Sequence, residues 1–217
     1  MKVGNERSVI TYLIGCILFS LGAKSFIDSQ LGTDPLDVLV LGIVKHTGLT
    51  IGIVSGLIAV AFLVIWSIWN RRRPLVTPFL TMFFVGNLID LWNYLKIEDN
   101  FQSTAFVLLL IGLLLASIGS SLILMSGIGI RTIDLVAITM VQKWRIKFLY
   151  AKLSIEIFMV VSGSLLGGPV GIGTLAFLLA VSPGIVFFVY LFERMFGTEC
   201  YGLHPSVEPI SDSMSNK

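Results

Sequence analysis

The stretch Ser29-Gln30-Leu31-Gly32-Thr33-Asp34-Pro35-Leu36-Asp37 has a counterpart in Ser126-Gly127-Ile128-Gly129-Ile130-Arg131-Thr132-Ile133-Asp134, 97 positions later (134 minus 37). The same shift places Ile14, Gly15, Leu18, Ser20 and Gly22 on Ile111, Gly112, Leu115, Ser117 and Gly119. Composition alone would match apolar with apolar. Gly, Ser and Asp in register point instead to an internal duplication. In the first copy Gly32 permits a turn closed to other residues. Asp34 then suits a helix N-cap, with Pro35 at the first helical position and Asp37 at the third. In the second copy Gly127 and Gly129 supply the break, Arg131 replaces Asp34 and Thr132 replaces Pro35.

Long apolar runs surround both breaks. Six reach the roughly 20 residues that a spanning helix needs: Ser8–Ile27, Ile51–Trp69, Val76–Tyr94, Thr104–Ser126, Phe148–Leu166 and Gly171–Phe192. The runs 35–44 and 132–141 are too short to span and suit half-helices. Composition agrees: of 217 residues 55% are hydrophobic and 13% charged. An average soluble domain is about one-quarter charged, so a soluble enzyme or DNA-binding module is excluded. The net charge of +2 gives no field for nucleic acid. Cys16 and Cys200 suggest no disulfide framework, and His46 and His204 have no metal-ligand partners at suitable spacing. No cofactor or metal is expected, and no hydrolase motif occurs.

The expected fold is an all-α membrane protein with six transmembrane helices in two three-helix repeats, 1–100 and 101–196, followed by a disordered cytoplasmic tail, 197–217. Each repeat carries a short half-helix after its first span. Three spans is an odd number, so the second repeat enters the membrane from the opposite side. Charge bias gives the same answer. With the N-terminus inside, cytoplasmic parts hold Lys2, Arg7, Arg71, Arg72, Arg73, Arg131, Lys143, Arg145, Lys147, Lys152, Arg194 and Lys217, against Lys24, Lys45 and Lys96 outside. Both termini are therefore expected in the cytoplasm. The basic start and the Leu13-Ile14-Gly15-Cys16 box resemble a cleavable leader. The apolar run before Cys16 is short for that role, and the repeat gives the segment a structural counterpart.

On three motifs, two of them at these breaks, the chain resembles the YczE/YyaS/YitT-like bacterial membrane proteins, especially the YczE branch. The motifs are Gly32-x-x-Pro35-x-Asp37 followed by Thr47-Gly48-Leu49; Gly127-x-Gly129 with Arg131 and Asp134; and Leu166-Gly167-Gly168-Pro169-Val170-Gly171-Ile172-Gly173-Thr174 with Glu156 upstream. The family's second break more often reads Gly-Pro-Arg-Asp, whereas Thr132 and Ile133 separate Arg131 from Asp134 here. Lys152 stands where an arginine is common. The resemblance implies an integral protein of the bacterial inner membrane and names no substrate.

An ionisable group inside a span is a functional candidate because its insertion is costly. Glu156 lies eight residues into its helix, about 12 Å deep at 1.5 Å per residue. It can serve as a proton or cation site, or lock two helices together. Lys152, one turn earlier, can pair with it or snorkel to the cytoplasmic interface. Arg131, Asp37 and Asp134 stand at the half-helix starts, where the acids act either as caps or in a site. Asp90 is matched in depth with Lys24, which would allow a cross-helix pair. Asn87 and Ser182 are candidate cavity donors. Gly167–Thr174 lacks the Gly-Lys-Ser/Thr ending of a phosphate loop. Gly167, Gly168, Pro169, Gly171 and Gly173 then make a tight turn between helices.

The expected function is a small secondary transporter or exporter with a polar site at the repeat interface. The alternatives are a substrate-binding membrane subunit of an ABC-type vitamin importer, or a membrane scaffold or regulator that moves no solute. The expected partners are the lipid bilayer and a small solute. Proton or cation coupling and a homodimer stay open.

Overall fold

A computed structural model describes residues 6–71, 76–95 and 104–196. Among them the chain forms eight α-helices: α1 Glu6–Ser29, α2 Pro35–Thr47, α3 Ile51–Asn70, α4 Val76–Tyr94, α5 Ala105–Ser126, α6 Thr132–Trp144, α7 Phe148–Leu165 and α8 Ile172–Phe196. The expected tail 197–217, with Cys200 and His204, lies outside the described residues.

The helix boundaries repeat. The start of α6 lies 97 positions after that of α2 (132 minus 35), and α7 starts 97 after α3 (148 minus 51). The ends of α1 and α5 keep the same offset (126 minus 29). Local chemistry repeats as well. Ser29 donates to Phe26 O at 2.7 Å and accepts from Leu31 N at 3.2 Å. Ser126 does the same with Ile123 O at 2.7 Å and Ile128 N at 3.3 Å. Each serine thus closes the last turn of its long helix and opens the break.

The two short helices run one turn beyond the expected 35–44 and 132–141. Their last turns carry Lys45 and His46, and Lys143, where cations suit the negative end of the helix dipole. Both end in a left-handed cap, Gly48 and Arg145.

Among the described residues five helices are long and apolar enough to cross a membrane: α1, α3, α5, α7 and α8. The sequence reading expected a sixth in α4. That helix has 19 residues, which is sufficient length, but Asn87, Asp90 and Asn93 reduce its apolarity.

The centre of the fold is the α1–α5 pair. A β-carbon on Gly15 would lie 3.0 Å from Gly119 O, and one on Gly22 would lie 3.1 Å from Gly112 O. Moving along α1 thus moves backwards along α5, so the pair is antiparallel. The contacts are also reciprocal. A β-carbon on Gly22 would lie 2.7 Å from Ala116 N and one on Gly119 2.5 Å from Phe19 N, and each residue of one approach is the 97-shifted counterpart of one in the other. Around the pair α4 packs on α1, α8 on α5, α3 on α4, and α2 and α6 on α7. The Gly167–Thr174 turn lies against the first break. Gly173 N donates to Leu31 O at 2.7 Å, and a β-carbon on Gly171 would come within 2.1 Å of that same carbonyl oxygen.

Candidate functional site

The starts of α2 and α6 face a common interior, and their caps differ. Asp34 caps α2, its Oδ1 accepting from Asp37 N at 2.6 Å. Pro35 follows at the first position, where its missing N–H costs nothing. The cap residue of α6 is Arg131, whose side chain has no acceptor to offer and makes no capping bond. It turns instead to Asp134, with Nε donating to Oδ2 at 2.8 Å and Nη2 to Oδ1 at 3.3 Å. The guanidinium lies 4.4 Å from the centre of the Phe19 ring on α1, a cation–π contact out of water.

α7 supplies the next layer. Lys152 Nζ donates to Asp134 Oδ1 at 2.6 Å and stands 3.7 Å from Glu156 Oε1. From α8, Ser182 Oγ donates to Glu156 Oε2 at 3.3 Å. Lys152 is 0% exposed, so it does not snorkel to the interface. Its ammonium lies between two carboxylates, bonded to Asp134 and within ion-pair distance of Glu156.

The start of α2 joins the same electrostatic system. The charge of Arg131 reaches Asp34, Asp37 and Glu156, and that of Lys152 reaches Asp34. All six charged side chains are buried. Four carboxylates therefore face two cations. Three hydroxyl or carboxylate oxygens at the half-helix starts are buried with no hydrogen-bond partner: Thr33 Oγ1, Asp37 Oδ2 and Thr132 Oγ1. A buried polar atom left unpaired costs about 1–3 kcal/mol, which is why such atoms are uncommon in native interiors.

Of the residues singled out in the sequence, Arg131, Asp134, Lys152, Glu156 and Ser182 form a connected network, with Asp37 in electrostatic contact. Asp90 stands elsewhere. Its Oδ1 and Oδ2 accept from Ile51 N at 3.2 Å and Gly52 N at 2.8 Å, capping α3 from α4. The expected Lys24–Asp90 pair does not form. Lys24 bonds Asp28, one turn along its own helix, and Asp90 is drawn to the donors at the start of α3. Asn87 faces outward and donates to Phe83 O at 2.6 Å. Sequence reasoning missed Phe19, Thr33 and Thr132 as site residues. The two threonines flank a break and a half-helix start, and that position was the available signal.

A family profile described as "Family of unknown function (DUF6198)" matches residues 6–190. The protein named "Uncharacterized protein YyaS" of Bacillus subtilis (strain 168) is 30% identical over 85% of this chain and 94% of its own length. "Uncharacterized membrane protein YczE" of the same strain is 25% identical, covering 81% of each chain. A protein of Haemophilus influenzae is 26% identical over 87% of this chain and 86% of its own length. No solved structure matches. The chain belongs to the DUF6198 family, as the resemblance to YczE and YyaS led one to expect, and it is a multi-pass membrane protein.

Proposed function

We propose that this member of the DUF6198 family is a small secondary transporter of the cytoplasmic membrane, built as two inverted three-helix units around one polar centre. α1, α3 and α4 are the spans of the first unit; α5, α7 and α8 are those of the second. Each unit dips a half-helix, α2 or α6, into the bilayer. Both termini are cytoplasmic, in keeping with the crowding of Lys and Arg on one side.

Several observations support the inverted arrangement. Helix boundaries keep a 97-residue offset, and α1 crosses α5 antiparallel with reciprocal contacts. The fit continues beyond that pair. Gly42 on α2 would place a β-carbon 3.0 Å from Gly163 O on α7. Their counterparts across the offset, Thr139 on α6 and Trp66 on α3, are joined by a hydrogen bond of 2.8 Å from the indole N–H. α4 counts as a span despite its polar residues because Asp90 and Asn87 spend their hydrogen bonds on helix backbone.

One observation carries the transport reading: two half-helices from different units start beside a single buried cluster of Asp34, Asp37, Arg131, Asp134, Lys152 and Glu156. Broken helices meeting at a repeat interface are where inverted-repeat transporters bind their solute and coupling ion. A charge network that both units share gives each a grip on the solute, so rocking of one unit against the other would expose it to either side in turn.

Purified protein in proteoliposomes on a solid-supported membrane tests this. Amino acids, organic acids, amines and sugars are offered in turn. At least one should evoke a current that Glu156→Gln reduces at least tenfold. Silence across the panel, with protein shown to be folded and inserted, would favour a scaffold or regulator.

A further inference from the structure

The charge cluster is not balanced within itself, and the imbalance has an address. Arg131 and Lys152 are taken up by Asp134 and Glu156. Two acids then remain at the start of α2. Asp34 uses Oδ1 to cap Asp37 N. Asp37 keeps Oδ2 without a hydrogen-bond partner while only 3% of the residue is exposed. In the same turn Thr33, fully buried, keeps Oγ1 unpartnered. An anion is not what completes such a place. The donors of this helix start are already capped, and two carboxylates would repel it.

We infer that the start of α2 is a binding site for a desolvated monovalent cation, held by Asp37 Oδ2 and Thr33 Oγ1 beside Asp34. The ligand is an inorganic ion or the ammonium group of a solute, since both offer one positive charge to oxygen acceptors. The unpartnered atoms are all oxygens, the donors that hard cations take and that ammonium N–H groups hydrogen-bond. The inference rests on the transporter reading for its purpose but not for its measurement.

Thermal unfolding of the full chain in detergent is followed at constant ionic strength. Choline chloride is replaced stepwise by sodium, lithium, potassium, ammonium or methylammonium chloride. At least one ion should raise the midpoint saturably, by about 3 °C or more, as binding to the native state alone requires. A response confined to sodium, lithium or potassium marks a coupling ion; one strongest for methylammonium marks an amine solute. Asp37→Asn should abolish the rise, and Thr33→Val should move its midpoint concentration at least fivefold. If Asp37→Asn does not fold, Thr33→Val decides alone. No ion-specific rise in the wild type, or a rise that a folded variant leaves unchanged, overturns the inference. Ion-dependent stabilisation without solute-evoked current would sink the transporter reading and leave this site standing; current without ion-specific stabilisation would do the reverse.

Discussion

Lys152 on α7 and Asp134 in the first turn of α6 meet at 2.6 Å with the lysine wholly buried, so a long helix and a short one are tied by a charge pair out of reach of water. Such a pair adds little net stability over an apolar replacement of both partners, yet losing one partner strands the other.

That asymmetry is measurable. Lys152→Met and Asp134→Asn should each lower stability by about 3–5 kcal/mol, because the first leaves four buried carboxylates against Arg131 alone and the second leaves Lys152 with only Glu156, 3.7 Å away. The double variant should lose clearly less than the sum of the two. Midpoints of thermal or denaturant unfolding in detergent measure the cycle, and strict additivity would mean that the pair is not a unit.

The α1–α5 crossing makes a prediction about symmetry. A β-carbon at Gly119 would come within 2.5 Å of Phe19 N, and one at its counterpart Gly22 within 2.7 Å of Ala116 N. Gly119→Ala and Gly22→Ala should therefore destabilise to a similar extent, about 1–3 kcal/mol, through overpacking. Gly48→Ala, with nothing within 4 Å, should leave α1–α5 packing untouched despite the strain of its left-handed backbone. Monodisperse yield and melting midpoint report the outcome.

Opposite insertion of the two units can be tested directly by labelling. Lys45 on α2 and Gln142 on α6 are exposed counterparts at the far ends of the half-helices. In a Cys16→Ser, Cys200→Ser background, Lys45→Cys should react with an impermeant maleimide added outside intact cells. Gln142→Cys should react only after the cells are opened. Labelling of both from one side would refute the inverted arrangement.

Asp90 should behave as a helix cap. Asp90→Ala removes the acceptor for Ile51 N and Gly52 N and should cost about 0.5–2 kcal/mol. Ion-dependent stabilisation should persist in this variant. Its disappearance would mean that Asp90 takes part in the polar centre after all.

Much of the architecture was legible along the chain because it is local. Apolar run lengths marked the long helices. Gly32 and Gly129 with the acids five residues on marked the breaks and the short helices α2 and α6 that follow them. The boundary of α4 as a helix was equally legible. Its expected standing as a sixth span is not matched by its hydropathy, because Asn87, Asp90 and Asn93 leave it less apolar than the five long helices.

The sequence by itself determined that ionisable groups lie inside an apolar chain and that Asp37, Asp134, Lys152 and Glu156 stand near breaks or within helices. Which neighbour each one meets was decided by tertiary structure alone. Helical spacing allowed Lys152 to reach Glu156 or the interface, and the arrival of α6 supplied the nearer carboxylate of Asp134. The match in depth that suggested a Lys24–Asp90 pair yielded to Asp28 and to the start of α3. Periodicity says which face of a helix is polar, whereas the partner on that face comes from a segment distant in the chain. Only when helices pack can a charge choose the contact that best repays its removal from water.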